Sequence, residues 1–199
     1  MIKRLFDIAV SGIGLLLCLP LFLILAIAIK LESPGPVFFR QERVGRHGRV
    51  FRIHKFRSMR SDAGTGPQIT VGGDRRITRV GEYIRRWKLD ETAQLIDVLE
   101  GTMSLVGPRP EVPRYVAQYP DAMRRTILSI RPGITDLASI VFRNENDILA
   151  AAADPERAYV EEVLPRKLAL QAQYVRERSF TGDLVILART VAAVVGKSA

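Results

Sequence analysis

From Ile8 to Ile29 the chain carries no charged side chain, and this run of about 22 mostly apolar residues constrains the fold more than any other feature. A transmembrane helix needs roughly 20 apolar residues, so length alone would suffice for a span. Two details oppose a simple one. Pro20 sits mid-run, where its ring removes a backbone hydrogen bond and crowds the preceding turn, so a kink or break is expected there. Both flanks are also basic, with Lys3 and Arg4 before the run and Lys30, Arg40, Arg43 and Arg46 after it. Cytoplasmic flanks attract Lys and Arg, so this pattern fits a segment that enters and leaves by one face. Each half, at about 1.5 Å per residue, would reach roughly 15–18 Å, one leaflet. The preferred expectation is a re-entrant membrane helix over residues 1–32, broken near Pro20. A true span stays open, and so does a cleaved signal segment, with Ala26-Ile27-Ala28 as its cutting site.

Residues 33–199 then read as one cytoplasmic domain, opened by the non-helical Ser33-Pro34-Gly35-Pro36. The chain of 199 residues has a formal charge of +9, which calls for an anionic partner: nucleic acid, lipid headgroups or a phosphorylated substrate. The lone Cys18 excludes an intrachain disulfide framework, and two histidines, His47 and His54, make a His-based metal centre improbable. Val37-Phe38-Phe39 reads as a short strand, and Val44 with Val50–Ile53 flank a hairpin turn at 45–48. Residues 61–73, rich in glycine, read as a loop and a candidate lid. Helical spacing follows from Ile77 to Trp87 and from Leu95 to Leu99, the latter ending at Gly101. Glu111 to Ser129 is expected to be helical with a break at Pro120, and amphipathic helices are expected over 155–178 and 182–195. The fold class is therefore α+β and mostly helical, with a small β-hairpin and amphipathic interfacial helices. Apolar faces on the last helices leave either membrane contact or a homo-oligomer open.

The run Lys88 to Pro110 carries the chemistry. Asp90 and Glu91 stand where a helix is expected to begin, and capping alone would account for both. Successive helical residues point about 100° apart, so two adjacent carboxylates there cannot share one task. One can face a reacting phosphorus while the other orients a metal or a second group. A helix start also offers amides to an anion, and Arg85, Arg109 and a divalent ion could neutralise the charge. Arg109 stands between Pro108 and Pro110, whose fixed φ lowers the entropy cost of presenting a guanidinium. Gly107 would let the chain approach a ligand closely. Among the basic residues of the hairpin, most serve headgroup attraction, whereas Lys55 and Arg57, beside Ser58, are candidates for a phosphate contact.

At these residues the chain resembles the small monotopic polyprenyl-phosphate phosphoglycosyltransferases, the bacterial sugar transferases. The resemblance covers nearly the whole chain and rests on KRLFD at the start, SPGPVFFRQERVG (33–45), FRIHKFRSM (51–59), the LDE…GTMSLVGPRPE run and RPGIT (131–135). It implies transfer of a phospho-sugar from a UDP-sugar to undecaprenyl phosphate, giving the lipid diphosphate sugar and UMP, at the cytoplasmic face of the bacterial inner membrane. It implies that Asp90 is a nucleophile forming an aspartyl phospho-sugar intermediate. Glu91 would assist metal binding or acceptor activation, and Mg²⁺, held at Asp90 and Glu91, would bridge the diphosphate. Arg85 and Arg109 would hold phosphate or nucleotide, and Pro108 and Pro110 would shape the nucleotide pocket. It also favours the re-entrant N-terminal helix.

Several positions depart from the family pattern. Thr92-Ala93 stands for an apolar residue and proline, an exchange expected to loosen the helix start. Asp97 replaces asparagine, Thr102 an acid, Leu19 a serine, and Asp136 and Ser139 replace glycine and glutamine. The alternatives, a membrane-anchored basic scaffold or a nucleic-acid-binding protein, would explain the charge. No nucleic-acid module is visible, however, and aromatics are not interleaved with the basic residues, so no nucleic acid partner is expected.

Overall fold

A computed structural model describes residues 1–60 and 74–196 of the chain, with the side chains of 194 and 195 left out. The loop and lid expected over 61–73 therefore lie outside the described residues. The first element, α1 (Ile2–Glu32), is one helix with Pro20 inside it. The expected break is thus corrected: the helix is carried through the proline. Proline withdraws its own N–H and crowds one carbonyl, a local loss that a long helix can absorb as a bend rather than an end. At about 1.5 Å per residue, 31 residues give a rod of about 46 Å.

One stripe of α1 faces the protein, and it changes character along its length. Near the N-terminus it is polar: Arg4 donates to the carbonyl of Val98 at 2.8 Å, Asp7 accepts from Ser104 Oγ at 2.8 Å, and Ser11 is fully buried. Towards the C-terminus it is apolar, and Leu21, Phe22, Leu25 and Ile29 pack with Phe56, Ile84 and Ala93. Positions 4, 7, 11, 14, 21, 25 and 29 recur at the three-and-four spacing of a single helical face. Residues flanking that stripe, such as Phe6, Leu15 and Cys18, are half-buried, and the opposite face of α1 is open. Twelve large apolar side chains from Ile2 to Leu31 are exposed, including Leu16 and Leu17 at 72% and 74%. Leaving one such side chain in water forgoes about 1.5–3 kcal/mol of burial, so this face calls for an apolar solvent.

Beyond α1 the expected hairpin is present. β1 (Phe38–Val44) and β2 (Val50–Phe56) pair antiparallel, with Phe38 opposite Phe56 and Val44 opposite Val50. α2 (Arg79–Arg86) starts on a double cap. Thr78 Oγ1 accepts from the Gly81 amide at 2.9 Å, and Glu32, the last residue of α1, accepts from the amides of Arg79 and Val80 at 2.7 and 2.9 Å. Carboxylates at a helix N-terminus satisfy orphan donors and complement the dipole. The end of α1 is thereby tied to α2.

The 3₁₀ turn Leu89–Glu91 leads into α3 (Gln94–Glu100), which stops at Gly101 with φ 87°. β3 (Ser104–Val106) follows, then α4 (Pro113–Val116) and α5 (Asp121–Ile127), separated near Pro120 as expected. β4 (Gly133–Thr135) pairs parallel to β3, an arrangement that apolar patterning over three residues could not announce. Gly107 and Gly133 make it possible. A Cβ on Gly133 would lie 2.0 Å from the Gly107 amide nitrogen, and one on Gly107 would lie 2.6 Å from the Arg131 carbonyl oxygen. Gly107 thus serves backbone against backbone rather than the close ligand approach expected of it.

The remainder is helical: α6 (Leu137–Val141), α7 (Glu145–Ala150), α8 (Pro155–Ala158), a π-helical turn at Tyr159–Val163, α9 (Leu164–Glu177) and α10 (Phe180–Val195). Tyr115, Ile127, Leu149, Tyr159 and Leu168 fill one core between α4, α5, α7 and α9. Ile53, Val98, Met103, Val106, Tyr174 and Ile186 fill a second between the hairpin, α3, β3 and the last two helices. The α+β, mostly helical class stands.

Candidate active site

Asp90 does not cap a helix. It lies in the 3₁₀ turn whose leading residue, Lys88, adopts the left-handed conformation at φ 56°. α3 begins three residues after Glu91, so the capping account of the two acids fails on geometry. The turn is closed by Thr92: its hydroxyl donates to the Leu89 carbonyl at 2.6 Å, and its amide donates to the same oxygen at 3.2 Å. Ala93 behind it is fully buried. The Thr92-Ala93 pair, expected to loosen this region, instead fastens it.

The turn holds the two carboxylates in different surroundings. Asp90 is 3% exposed, and its Oδ2 lies 2.8 Å from Lys55 Nζ. Its Oδ1 is buried without a hydrogen-bond partner. An unpartnered buried carboxylate oxygen is costly in a folded protein and marks a place where a ligand, ion or reacting atom belongs. Glu91 is grasped by Arg109 from across the site: Nη1 donates to Oε2 at 3.0 Å and Nη2 to Oε1, with Lys55 Nζ 3.7 Å from Oε1. Burial by itself would raise the Glu91 carboxyl. The Arg109 guanidinium and then the Lys55 ammonium outweigh it and hold that carboxyl well below the usual carboxylate range. Lys88 adds a further positive charge acting on Glu91.

Arg109 owes its position to the turn around it. Pro108 and Pro110 are both buried and wedge the turn against the protein, and with Arg109 they line a small hollow beside Val44, Glu111 and Tyr119. Asp136, the N-cap of α6, accepts from the Arg109 amide at 3.1 Å, from Gln171 Nε2 at 3.0 Å and from the Ser139 amide at 2.6 Å. The carbonyl of Ile134 accepts from Arg109 Nη1 at 3.3 Å. Asp136, flagged in the sequence as a departure, therefore braces the arginine from behind, whereas the Ser139 hydroxyl is buried without a hydrogen-bond partner and nothing in the structure explains that exchange. No sequence signal beyond its place after RPGIT points to this role of Asp136.

Of the residues expected at the site, the structure brings Asp90, Glu91, Lys55 and Arg109 together. Arg85 lies in the last turn of α2 and makes no hydrogen bond or ion pair with either carboxylate. Arg57 is turned away. Its guanidinium is buried and donates to the carbonyls of Ser33 at 2.7 Å, Pro34 at 2.5 Å and Ile29 at 3.4 Å, which closes the C-terminal end of α1. Behind Lys55, His54 fastens β2 to α3. Its amide donates to Asp97 Oδ2 and its Nδ1 lies on Oδ1, both at 2.9 Å. This grouping with Glu100 has the proximity of a metal cluster, but both Asp97 oxygens are occupied by His54. Asp97 in place of asparagine thus sets the strand that carries Lys55.

The chain matches the family described as bacterial sugar transferase over residues 1–197. It is 41% identical over 198 residues to a UDP-N-acetylgalactosamine-undecaprenyl-phosphate N-acetylgalactosaminephosphotransferase of Aeromonas hydrophila, covering 97% of this chain and 43% of that protein. It is 38% identical over 196 residues to a UDP-glucose:undecaprenyl-phosphate glucose-1-phosphate transferase of Escherichia coli K12, covering 96% and 39%. A protein of the same description in Caulobacter vibrioides is 38% identical over 205 residues, covering 95% and 68%. The chain thus spans less than half the length of the Aeromonas and Escherichia proteins. With the family matched from the first residue of α1 to the end of α10, and the paired carboxylates facing Lys55 and Arg109 inside it, the chain belongs to the bacterial sugar transferases.

Proposed function

We propose that the chain transfers a phospho-sugar from a UDP-sugar to undecaprenyl phosphate, with Asp90 as the attacking group. One observation carries the reading: a buried carboxylate oxygen, Asp90 Oδ1, left without a partner beside a carboxylate–guanidinium pair. Lys55 holds Oδ2 and so aims Oδ1. In the first step an Asp90 oxygen bonds to the phosphorus that bears the sugar. The bond from that phosphorus to the bridging oxygen breaks, and UMP leaves with the electron pair. In the second step an oxygen of undecaprenyl phosphate bonds to the same phosphorus, and the Asp90 carboxylate departs unchanged. Atoms and charge balance without a proton transfer. The division lets a water-soluble donor and a lipid acceptor use one site in turn. Arg109 can exchange its grip from Glu91 to the departing phosphate, because a bidentate guanidinium suits either anion.

The donor set also fits a hard divalent ion such as Mg²⁺. Carboxylate oxygens are the ligands such ions take, and Glu91, beside Asp90, would offer them once Arg109 has exchanged its grip to phosphate, which leaves Asp90 Oδ1 for the phosphorus. Bound there, the ion would neutralise phosphate charge and help to orient the diphosphate.

The membrane reading rests on α1. Both of its ends are bonded to the same domain, through Lys3 and Arg4 at one end and Glu32 at the other, while the opposite face is apolar and open. A helix crossing to the far side would have to leave one end free of that domain. A monotopic placement, with α1 lying along the cytoplasmic face of the membrane rather than crossing it, is the proposal these contacts support. Tyr83 and Trp87, exposed on and just after α2 near the end of α1, suit the headgroup level.

The test is release of UMP from a panel of UDP-sugars, with undecaprenyl phosphate and Mg²⁺ supplied. At least one donor is expected to turn over, and intact-mass analysis without acceptor is expected to show the phospho-sugar adduct. Asp90→Asn is expected to lose about 10³-fold or more in rate. Activity retained in that variant would sink the covalent route.

A further inference from the structure

We propose that a basin at the start of α1, far from the carboxylate pair, is a second ligand site, shaped for a phosphodiester that carries a hydroxylated alcohol, as in the headgroup of phosphatidylglycerol. The basin has a volume of about 400 Å³, within the range of small-molecule sites. Its lining includes none of Lys55, Asp90, Glu91 and Arg109. α3 stands between the two places: Arg4 is bonded to the carbonyls at its end, whereas Asp90 precedes its first turn. Seven residues of helix put about 10 Å between them.

The rim has more donors than the protein uses. Among the described residues, Arg131 spends only Nε, on the Gly101 carbonyl at 2.7 Å, and Arg46 only Nε, on the Ser129 carbonyl at 3.1 Å. Arg178 has no hydrogen bond or ion pair among the described residues and lies on the surface. Three guanidiniums thus line one basin with terminal nitrogens that no hydrogen bond or ion pair among the described residues uses. The two acids in the basin do not cancel this. Asp183 is matched by Lys3 at 2.6 Å and by the Tyr174 hydroxyl at 2.6 Å. Asp7 accepts from Ser104 Oγ, and its other oxygen, Oδ1, is buried with no hydrogen-bond partner, Lys3 Nζ being 3.8 Å away.

Surplus cationic donors at the rim and an unmatched acceptor inside describe the missing ligand from both ends. A phosphodiester satisfies the guanidiniums by charge-assisted bonds. A bare anion would leave Asp7 Oδ1 unmatched and would meet its charge. An alcohol hydroxyl on the phosphate would instead donate to it. The mouth indicates the source. Met1 and Phe180 line it, and Ile2, Leu5 and Leu184 nearby are exposed, continuing the apolar face of α1 along which acyl chains could lie. The lipid as source rests on the membrane placement proposed above; the headgroup site does not, and neither rests on the transfer reaction.

The test is calorimetric titration of the purified full chain in a neutral detergent with dihexanoyl phosphatidylglycerol. Saturable one-to-one binding is expected, weakened about 10-fold or more in the Arg46→Ala/Arg178→Ala double variant. Both residues are at the surface, and an unchanged melting temperature would show the variant to be folded. Dihexanoyl phosphatidylmethanol keeps the charge but lacks the hydroxyls, and is expected to bind several-fold more weakly. sn-Glycerol 3-phosphate separates the sources: weaker binding than the lipid supports a membrane ligand, and equal or tighter binding transfers the same site to a soluble phosphate ester. Equal affinity of wild type and double variant for phosphatidylglycerol, or equal binding of dihexanoyl phosphatidylcholine, would overturn the site. Equal binding of the phosphatidylmethanol would remove the role of Asp7. Loss of UMP release in the wild type would touch none of these readouts.

Discussion

The cations around Asp90 face carboxylates, whereas two arginines at the ends of α1, Arg4 and Arg57, face main-chain carbonyls (Lys3, beside Arg4, pairs with Asp183 instead). Lys55 and Arg109 engage Asp90 and Glu91. Arg57 closes α1 on the carbonyls of Ile29, Ser33 and Pro34, and Arg4 closes α3 on those of Val98 and Leu99. The partner decides what the cation can do. A carbonyl at a helix end must be satisfied for as long as the helix exists, so its guanidinium is committed to the fold. A carboxylate at an accessible site can yield its guanidinium to an incoming phosphate, since one anion replaces another at little net loss. The first arrangement stabilises, and the second is available for chemistry.

The comparison is tested most severely at Arg109. Arg109→Ala should lower the rate of UMP release about 10²–10³-fold, the usual cost of removing one donor to developing charge. Arg109→Lys should recover only part of it, because a point charge cannot make the forked contact. Steady-state rates with the accepted UDP-sugar give the answer, and a loss under threefold for Arg109→Ala would put this arginine among the structural ones.

Next in size is Gly133→Ala. The new methyl group would sit 2.0 Å from the Gly107 nitrogen, where only backbone could move, and the crossing of β3 and β4 carries the turn that presents Arg109. A loss of about 3 kcal/mol in stability is expected, with activity falling alongside it. Thermal melting in detergent checks the first, and a melting point within a degree of wild type would show that the crossing can open.

Arg57→Ala should reverse the pattern of Arg109→Ala. It leaves buried carbonyls at the end of α1 unsatisfied, at about 1–3 kcal/mol, yet the folded fraction should keep its rate within about threefold. If instead KM for the UDP-sugar rises tenfold at unchanged melting temperature, Arg57 belongs to the phosphate site after all, and the division by partner fails.

Arg57 also shows where the sequence stops being informative. Lys55 in β2 and Arg57 one residue past its end are two residues apart, and neither composition nor spacing separates them. The pleat does not do so either, since alternate residues share a face. What separates them is the end of a helix some twenty-five residues earlier, brought there by the tertiary fold. The hairpin, the helix ending at Gly101 and the apolar start were legible because each is a local pattern of two or three residue types. The pairing of Asp90 with Glu91 was legible as a motif, but its turn was not, because Thr92 and Lys88 shape it through backbone geometry. The Asp136 brace and the parallel contact of β3 with β4 depend on segments thirty residues apart, and a local reading has no access to them.

The smallest effect concerns acid. The Glu91 carboxyl is held well below its usual range by Arg109 and Lys55, so in the folded chain it stays ionised in mild acid. A group with a lowered folded value contributes stability that is complete above its unfolded value, about 4.3 for glutamate, and is lost as pH falls from there through the folded value. The pairing should therefore contribute equally at pH 7 and pH 5.5 and start to fade only below about pH 4.5. Because Arg109 and Glu91 are partly open, the contribution itself is modest, about 1 kcal/mol after solvent screening. The gap in melting temperature between wild type and Glu91→Gln, followed from pH 7 to pH 4, should be flat until that point and then narrow. A gap that stays constant all the way to pH 4 would mean that Glu91 titrates in the ordinary range, the same in the folded and unfolded chain. Its grip on Arg109 would then be too weak to distinguish the catalytic cations from the structural ones.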